Sequence, residues 1–326
     1  MKALIYDAPE TLSLRDVADP HPAEGEHLVR VSAVGICGSD MHAYLGHDDR
    51  RMPPLILGHE AAGVIVGGSR DGDRVTINPL VTCGTCPACT AGRENLCPSR
   101  QIISMPPREG AFAQFVSMPE VNLVSVPDAF PMQKAALAEP LAVSWHAARL
   151  GLEANGNGIG SNALIIGGGP IGLGAALALR AMGLDEVTIV EPNPVRRSFL
   201  SEHCGENVVE TADGPFALIV DAVGYAVTRA NASALASPGG VIVHVGLAED
   251  TGGLDIRRMT LQEITFIGTY TYTAEDFRQT AQAMYDGKLG DLNWFQSRSL
   301  EDGAQAFADL RQGVVAAPKI VLDPWA

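Results

Sequence analysis

The sequence has no surplus of basic residues, no uncharged apolar run of membrane-spanning length, and no apolar core behind a basic start. Asp and Glu total 38 against 23 Lys and Arg, a formal net charge of −15. A nucleic-acid partner needs a basic surface, so none is expected. A membrane span needs about 18 consecutive apolar residues, so no membrane partner is expected either. The opening Met1-Lys2-Ala3-Leu4-Ile5-Tyr6-Asp7 lacks the pattern of a secretory signal, and a cytoplasmic protein is expected. There are no internal repeats and no low-complexity linker. Cysteine is scarce, with six residues, but four of them (Cys83, Cys86, Cys89 and Cys97) fall within fifteen positions. In a cytoplasmic chain such clustering points to a metal rather than to disulfides.

What is present is enough for two cores. A chain of 326 residues, 46% hydrophobic and 19% charged, predicts two domains. Up to about residue 135 the texture is β-rich and loop-rich. Short apolar runs such as Leu28–Val31, Ala62–Val66 and Val75–Ile77 are broken by Gly, Pro and Asp. A first long helix is expected over Pro140–Leu150. From Ala163 the pattern turns to alternating strands and helices. Ala163–Ile166, Val187–Val190, Ala217–Val220 and Val241–Val245 are the strands, with helices at Ile171–Met182 and Val195–His203. This succession predicts a doubly wound α/β sheet. A last strand-like segment spans Pro318–Leu322.

Gly167-Gly168-Gly169-Pro170-Ile171-Gly172 supplies a G-x-G-x-x-G between the first of those strands and its helix. Alone the motif is weak. In this context, glycines let the backbone approach a pyrophosphate, whose charge is favoured at a helix N-terminus. Glu191 closes the next strand, where an acid accepts hydrogen bonds from adenosine ribose hydroxyls and repels a 2′-phosphate. NAD is therefore expected over NADP. Arg196 and Arg197 are the residues that could meet such a phosphate or stack on adenine; an exposed helix face is the plainer reading.

Cys83-x2-Cys86-x2-Cys89-x7-Cys97 suits a closed tetrahedral Zn²⁺ site of structural character, with an iron–sulfur cluster as the chemical competitor. A second set is more scattered: Cys37-Gly38-Ser39-Asp40 followed by His42, then Gly58-His59-Glu60, then Glu139-Pro140. A thiolate, an imidazole and carboxylates form a plausible zinc set with room for a water or substrate oxygen.

In order and spacing these motifs, with Gly72-Asp73-Arg74-Val75, resemble the medium-chain dehydrogenase/reductase superfamily over nearly the whole chain. The likeness is to its zinc-containing polyol and threonine dehydrogenase branch. The resemblance implies a GroES-like catalytic domain over 1–143 and 273–326, with a structural zinc lobe at 80–100, and a Rossmann domain over 144–272. It implies two zincs per chain, one catalytic and one structural. Cys37, His59 and Glu60 would hold the catalytic zinc, with Glu139 or water as the fourth ligand. Asp40 would orient the His59 imidazole. Ser39 would bridge the substrate hydroxyl and His42 would pass its proton to solvent. Val245, Gly246 and Leu247 would lie against the nicotinamide carboxamide.

The implied activity is hydride transfer between NAD(H) and a secondary alcohol, polyol or amino alcohol, with zinc as Lewis acid. A homo-oligomer, dimer or tetramer, is expected. The rival readings are a non-catalytic NAD-binding sensor and a zinc-independent quinone or enone reductase. His47, Asp48 and Arg51 are candidates for the mouth of the pocket, and Tyr270 and Tyr272 for its border or for sheet packing. His146, His244 and Cys204 are read as structural.

Overall fold

A computed structural model describes residues 1–156 and 160–326. Its packing separates two units. One comprises Met1–Glu139, Thr273–Tyr285 and Phe295–Ala326; the other comprises Pro140–Tyr272 and Asp286–Trp294.

The first unit is built mostly on antiparallel strands, with Phe295–Ser299 pairing parallel to Lys319–Asp323. Its larger sheet runs in the order Leu123–Ser125, Arg74–Ile77, Glu60–Val66, Glu26–Gly35, Lys319–Asp323, Phe295–Ser299, and Phe115–Pro119 also pairs with Glu26–Gly35. A smaller sheet joins Thr11–Asp16, Lys2–Ala8 and Leu55–Ile56. The strand Glu26–Gly35 alternates between half-buried and buried positions over most of its length, as a one-faced antiparallel strand should. Its buried side chains Val29, Val31 and Val34 join Ile65, Ile77, Phe112 and Phe307 in one core. Phe307 meets Phe112 edge-on, with ring centroids 5.9 Å apart. Register matters to function here. Gly35 lies opposite Glu60, and Val321, two residues after Lys319, also lies opposite Gly35.

The second unit carries six parallel strands in the order Val208–Val209, Glu186–Val190, Asn162–Ile166, Phe216–Asp221, Ala236–His244, Thr265–Gly268. Numbered along the chain this is 3-2-1-4-5-6, the dinucleotide-binding order. The two central strands are apolar and buried on both faces because helices cover both sides of the sheet. The helices Pro170–Ala181 and Pro194–Cys204 each begin with proline in the first turn. The first long helix spans Ala138–Asn155, longer at both ends than its apolar pattern predicts, so Glu139 sits in its first turn.

Asp286–Trp294 packs with the second unit, whereas the sequence reading places it in the first. Gly287 and Gly290 interrupt any periodicity, yet Leu289, Leu292 and Trp294 are buried. Among the described residues, no helix is long and apolar enough to cross a membrane.

Candidate metal and nucleotide sites

Cys37 precedes the short helix Gly38–Tyr44, and the Asp40 carboxylate folds back to accept the Cys37 N–H at 3.0 Å. The other Asp40 oxygen accepts the Gly58 N–H at 3.2 Å and lies 3.4 Å from His59 Nδ1. One buried carboxylate therefore fixes both loops that bring Cys37 and His59 together. Ser104 Oγ also faces His59 Nδ1, at 3.3 Å. With Nδ1 engaged on this side, Nε2 is the ring atom left for a metal. Burial pushes the His59 imidazolium down, but Asp40 and Cys37 overcome it and hold His59 well above its ordinary value. Burial likewise opposes ionisation of Asp40, and His59 and Arg51 outweigh it. The pocket is thus built to attract a cation.

Ligand atoms of Cys37, His59 and Glu60 all lie within 4.8 Å of one another. Glu60 Oε1 accepts the Lys319 ammonium at 2.6 Å, while Oε2 is buried without a partner. A Cβ on Gly35 would sit 2.1 Å from that Oε2, so glycine opposite Glu60 is what makes room for the carboxylate. An orphaned buried oxygen beside a thiol and an imidazole fits a zinc ion. Glu139 is buried but stands outside this group of three. Its charge, with those of Glu60 and Cys37, instead helps hold Lys319 protonated against the opposing effect of burial. Glu139 therefore belongs to the electrostatic surroundings of the group, acting on the same lysine as Glu60 and Cys37.

Ser39 and His42 share the helix Gly38–Tyr44 three positions apart, hence on one face. Ser39 is half-buried and His42 is exposed, an inside-to-outside order that suits passage of a proton.

The four-cysteine lobe is equally definite. Four sulfurs around a tetrahedral zinc at 2.3 Å lie roughly 3.8 Å apart. Here Cys83–Cys97 and Cys86–Cys89 are 3.5 Å apart, and Cys83–Cys89 is 3.9 Å. Backbone amides of Thr85 and Cys86 bring the Cys83 thiol down to about 6, whereas burial and the neighbouring thiols push Cys89 up to about 11. All four sulfurs fall within 4.8 Å of one another. Glu94, in the same lobe, accepts the Ala274 N–H at 2.5 Å at the start of the helix Ala274–Tyr285.

In the second unit, Gly167 adopts φ +102°, which a side chain rarely tolerates, and Gly172 packs so closely that a Cβ would lie 1.8 Å from the Gly167 carbonyl. Gly169 is the cap of the helix beginning Pro170-Ile171, whose Ile171 carbonyl accepts the Ser144 hydroxyl. The turn leads directly into the N-terminus of that helix, the end at which negative charge is favoured.

Residues 23–128 match the family described as alcohol dehydrogenase GroES-like domain, and residues 170–286 match that described as zinc-binding dehydrogenase. L-Galactonate-5-dehydrogenase of Escherichia coli K12 is 32% identical, covering 89% of this chain and 88% of its own length. The chain belongs to the zinc-dependent alcohol and polyol dehydrogenase family. Sorbitol dehydrogenase of Bacillus subtilis is 41% identical to this dehydrogenase over 60% of the chain and 57% of its own length. Among solved structures, a zinc-binding dehydrogenase from Sinorhizobium meliloti 1021 bound to NADP has a TM-score of 0.88 at 27% identity, covering 99% of each chain. An Escherichia coli CFT073 alcohol dehydrogenase complexed with NADH has a TM-score of 0.89 at 25% identity, again covering 99% of each.

Other expected residues of this dehydrogenase sit as follows. Glu191 is buried, and its two oxygens accept the N–H groups of Gly168 (3.0 Å) and Asn193 (2.8 Å), with Arg196 Nη1 at 3.5 Å. It shapes the turn on both sides of the strand end. Val245 and Gly246 both donate to the Asp221 carbonyl, while Leu247 is 77% exposed. Arg51 is buried, 2% exposed. Tyr272 is buried, and His244 pairs with Asp221 at 3.2 Å.

Three residues escaped sequence reasoning. Asp221 accepts from the amides of Val223 and Gly224 and from the Thr228 hydroxyl. Ser104 carries no motif. Lys319 had a faint signal: a lysine opening an otherwise apolar strand.

Proposed function

We propose that this dehydrogenase transfers hydride between a secondary alcohol, polyol or amino alcohol and NAD(H), with catalytic zinc held by Cys37, His59 and Glu60. The observation that carries this reading is the group of three ligand atoms, with His59 Nδ1 engaged behind it and Glu60 Oε2 left unpartnered. Zinc there supplies Lewis acidity towards an oxygen-bearing substrate. The chain's own residues do the rest. Asp40 and Ser104 orient His59; Lys319 restrains one oxygen of Glu60; Ser39 takes the substrate proton and His42 hands it to solvent. Cys83, Cys86, Cys89 and Cys97 hold a second, structural zinc.

Gly167, Gly169, Pro170, Ile171 and Gly172 seat the pyrophosphate, and the carboxylate of Glu191 favours NAD over NADP. Arg196 borders that end of the site, and the backbone of Val245–Leu247 faces the nicotinamide. Relatives named for galactonate and sorbitol support a polyol-like substrate. A cytoplasmic homo-oligomer, dimer or tetramer, with no nucleic-acid or membrane partner, completes the reading. The strand Thr265–Gly268, at the open edge of the six-stranded sheet, supports self-association.

The test is metal analysis together with NADH formation from sorbitol, xylitol, butane-2,3-diol and L-threonine. Two zincs per chain, turnover on at least one compound, and loss of turnover but not of NADH binding in Cys37→Ser are expected. Turnover surviving in Cys37→Ser overturns the catalytic-metal assignment.

A further inference from the structure

Arg51 is a buried cation whose hydrogen bonds the reaction as described leaves unused. Its guanidinium is neutralised by Asp48, with Nη1 2.7 Å from Asp48 Oδ2. Its other contacts converge on two serines. Nη1 donates to the Ser39 carbonyl at 3.3 Å and Nη2 to Ser39 Oγ at 3.4 Å, while Nε donates to the Ser104 carbonyl at 3.0 Å. Ser104 is fully buried at φ +71°, a left-handed conformation unusual for serine, and its hydroxyl faces His59 Nδ1. A planar fork with fixed N–H directions can meet these acceptors together; an ammonium on a flexible stem cannot reproduce the pattern.

The consequence for Ser39 follows from its hydroxyl. It has one hydrogen to give and two sites that accept. Arg51 fills one accepting site and, having no lone pair, cannot receive the hydrogen. The second accepting site is left for a substrate hydroxyl and the hydrogen for an onward acceptor. We propose that Arg51 is a positioning residue for the proton relay, setting the Ser39 hydroxyl to receive from substrate and pass onward, and joining it through Ser104 to the support of His59. This rests on the dehydrogenase reading of Ser39 and His42. In oxidation the substrate O–H proton moves to Ser39 Oγ as the serine's own hydrogen leaves towards His42 and solvent. The substrate carbon is oxidised, and its hydrogen leaves with two electrons to the nicotinamide of NAD, which is reduced.

The test measures turnover of whichever of the four compounds above gives most NADH, in wild type, Arg51→Lys, Arg51→Gln, Ser39→Ala and the Ser39→Ala/Arg51→Gln double variant. Both Arg51 variants should lose roughly ten- to hundredfold in kcat, with KM little changed and a larger solvent deuterium isotope effect. Zinc content should stay at two per chain, and the NADH affinity unchanged. In the Ser39→Ala background, Arg51→Gln should cost almost nothing further. If Arg51→Gln folds poorly, Arg51→Ala supplemented with guanidinium ion should regain turnover only when Ser39 is present. Equal losses in both backgrounds, or loss of a zinc along with activity, overturn the proposal. If Ser39→Ala itself turns over normally, the relay reading falls, and the role of Arg51 with it.

Discussion

Replacing Lys319 with methionine should destabilise the metal-depleted enzyme far more than the zinc-loaded one. The lysine and Glu60 side chains are 1% and 0% exposed, and their atoms are 2.6 Å apart. Lys319 also donates to the Ile36 carbonyl at 2.9 Å. Methionine conserves most of the volume but leaves Glu60 as a buried carboxylate with neither oxygen paired. Breaking a buried pair by removing one partner costs about 3–5 kcal/mol. For a unit of this size that lowers the melting temperature by roughly 10 °C. A zinc ion on Glu60 replaces the lost positive charge, so the loaded variant should recover much of the deficit and bind zinc more tightly than wild type. Thermal unfolding after chelation to one zinc per chain, then after zinc is restored, gives both numbers. The double variant Lys319→Met/Glu60→Gln, neutral on both sides, should also regain most of the loss. Equal destabilisation with and without zinc, or losses that simply add in the double variant, would refute the assignment of Lys319 as the charge partner of Glu60.

Acid should act through Asp48. Burial opposes its ionisation, but hydrogen bonds from Arg50 and the charge of Arg51 bring its carboxyl down to about 2. A folded value below the unfolded one stabilises the fold above about pH 4, and that stability disappears as pH falls from about 4 to about 2. Allowing for solvent screening the contribution is about 1–2 kcal/mol, and Asp48→Asn should show a correspondingly smaller drop in urea midpoint between pH 7 and pH 3. Gly172→Ala drives a methyl group against the Gly167 carbonyl, so NADH binding by fluorescence titration should weaken at least ~tenfold while zinc content is kept. Cys97→Ser should release one zinc and, by loosening Glu94, speed hydrogen exchange at Ala274; unchanged exchange would show the cap to be independent of the metal.

What could be read from the chain alone divides by distance along it. Four parallel strands of the second unit are nearly unbroken apolar runs, and the first two helices between them begin at prolines, so the class and the placement of these elements were legible. Cys37, Asp40 and His42 lie within six positions, His59 and Glu60 are adjacent, and the four lobe cysteines are clustered. Short spacing is what a sequence displays well. Lys319 and Glu60 are 259 positions apart, and no local pattern links them. The tie between Glu139 and Lys319 is equally hidden: a Glu-Pro pair marks a helix start, and nothing local shows its effect on a lysine 180 positions away. Arg51 sits in a polar stretch, His47-Asp48-Asp49-Arg50-Arg51, where only tertiary packing singles out one side chain for burial.

The strand Lys319–Asp323 lies between Glu26–Gly35, near the start of the chain, and Phe295–Ser299. On the ribosome, the six-stranded sheet has all of its strands once Gly268 has emerged, whereas the mixed one waits about fifty residues longer for its inner member. At ordinary elongation rates that wait is roughly 3 to 10 s. During it the thiol, imidazole and carboxylate of the metal group are already synthesised and their lysine is not. Glu60 therefore gains its buried ammonium partner only with the last strand, so the surroundings of the metal group are completed at the very end of synthesis.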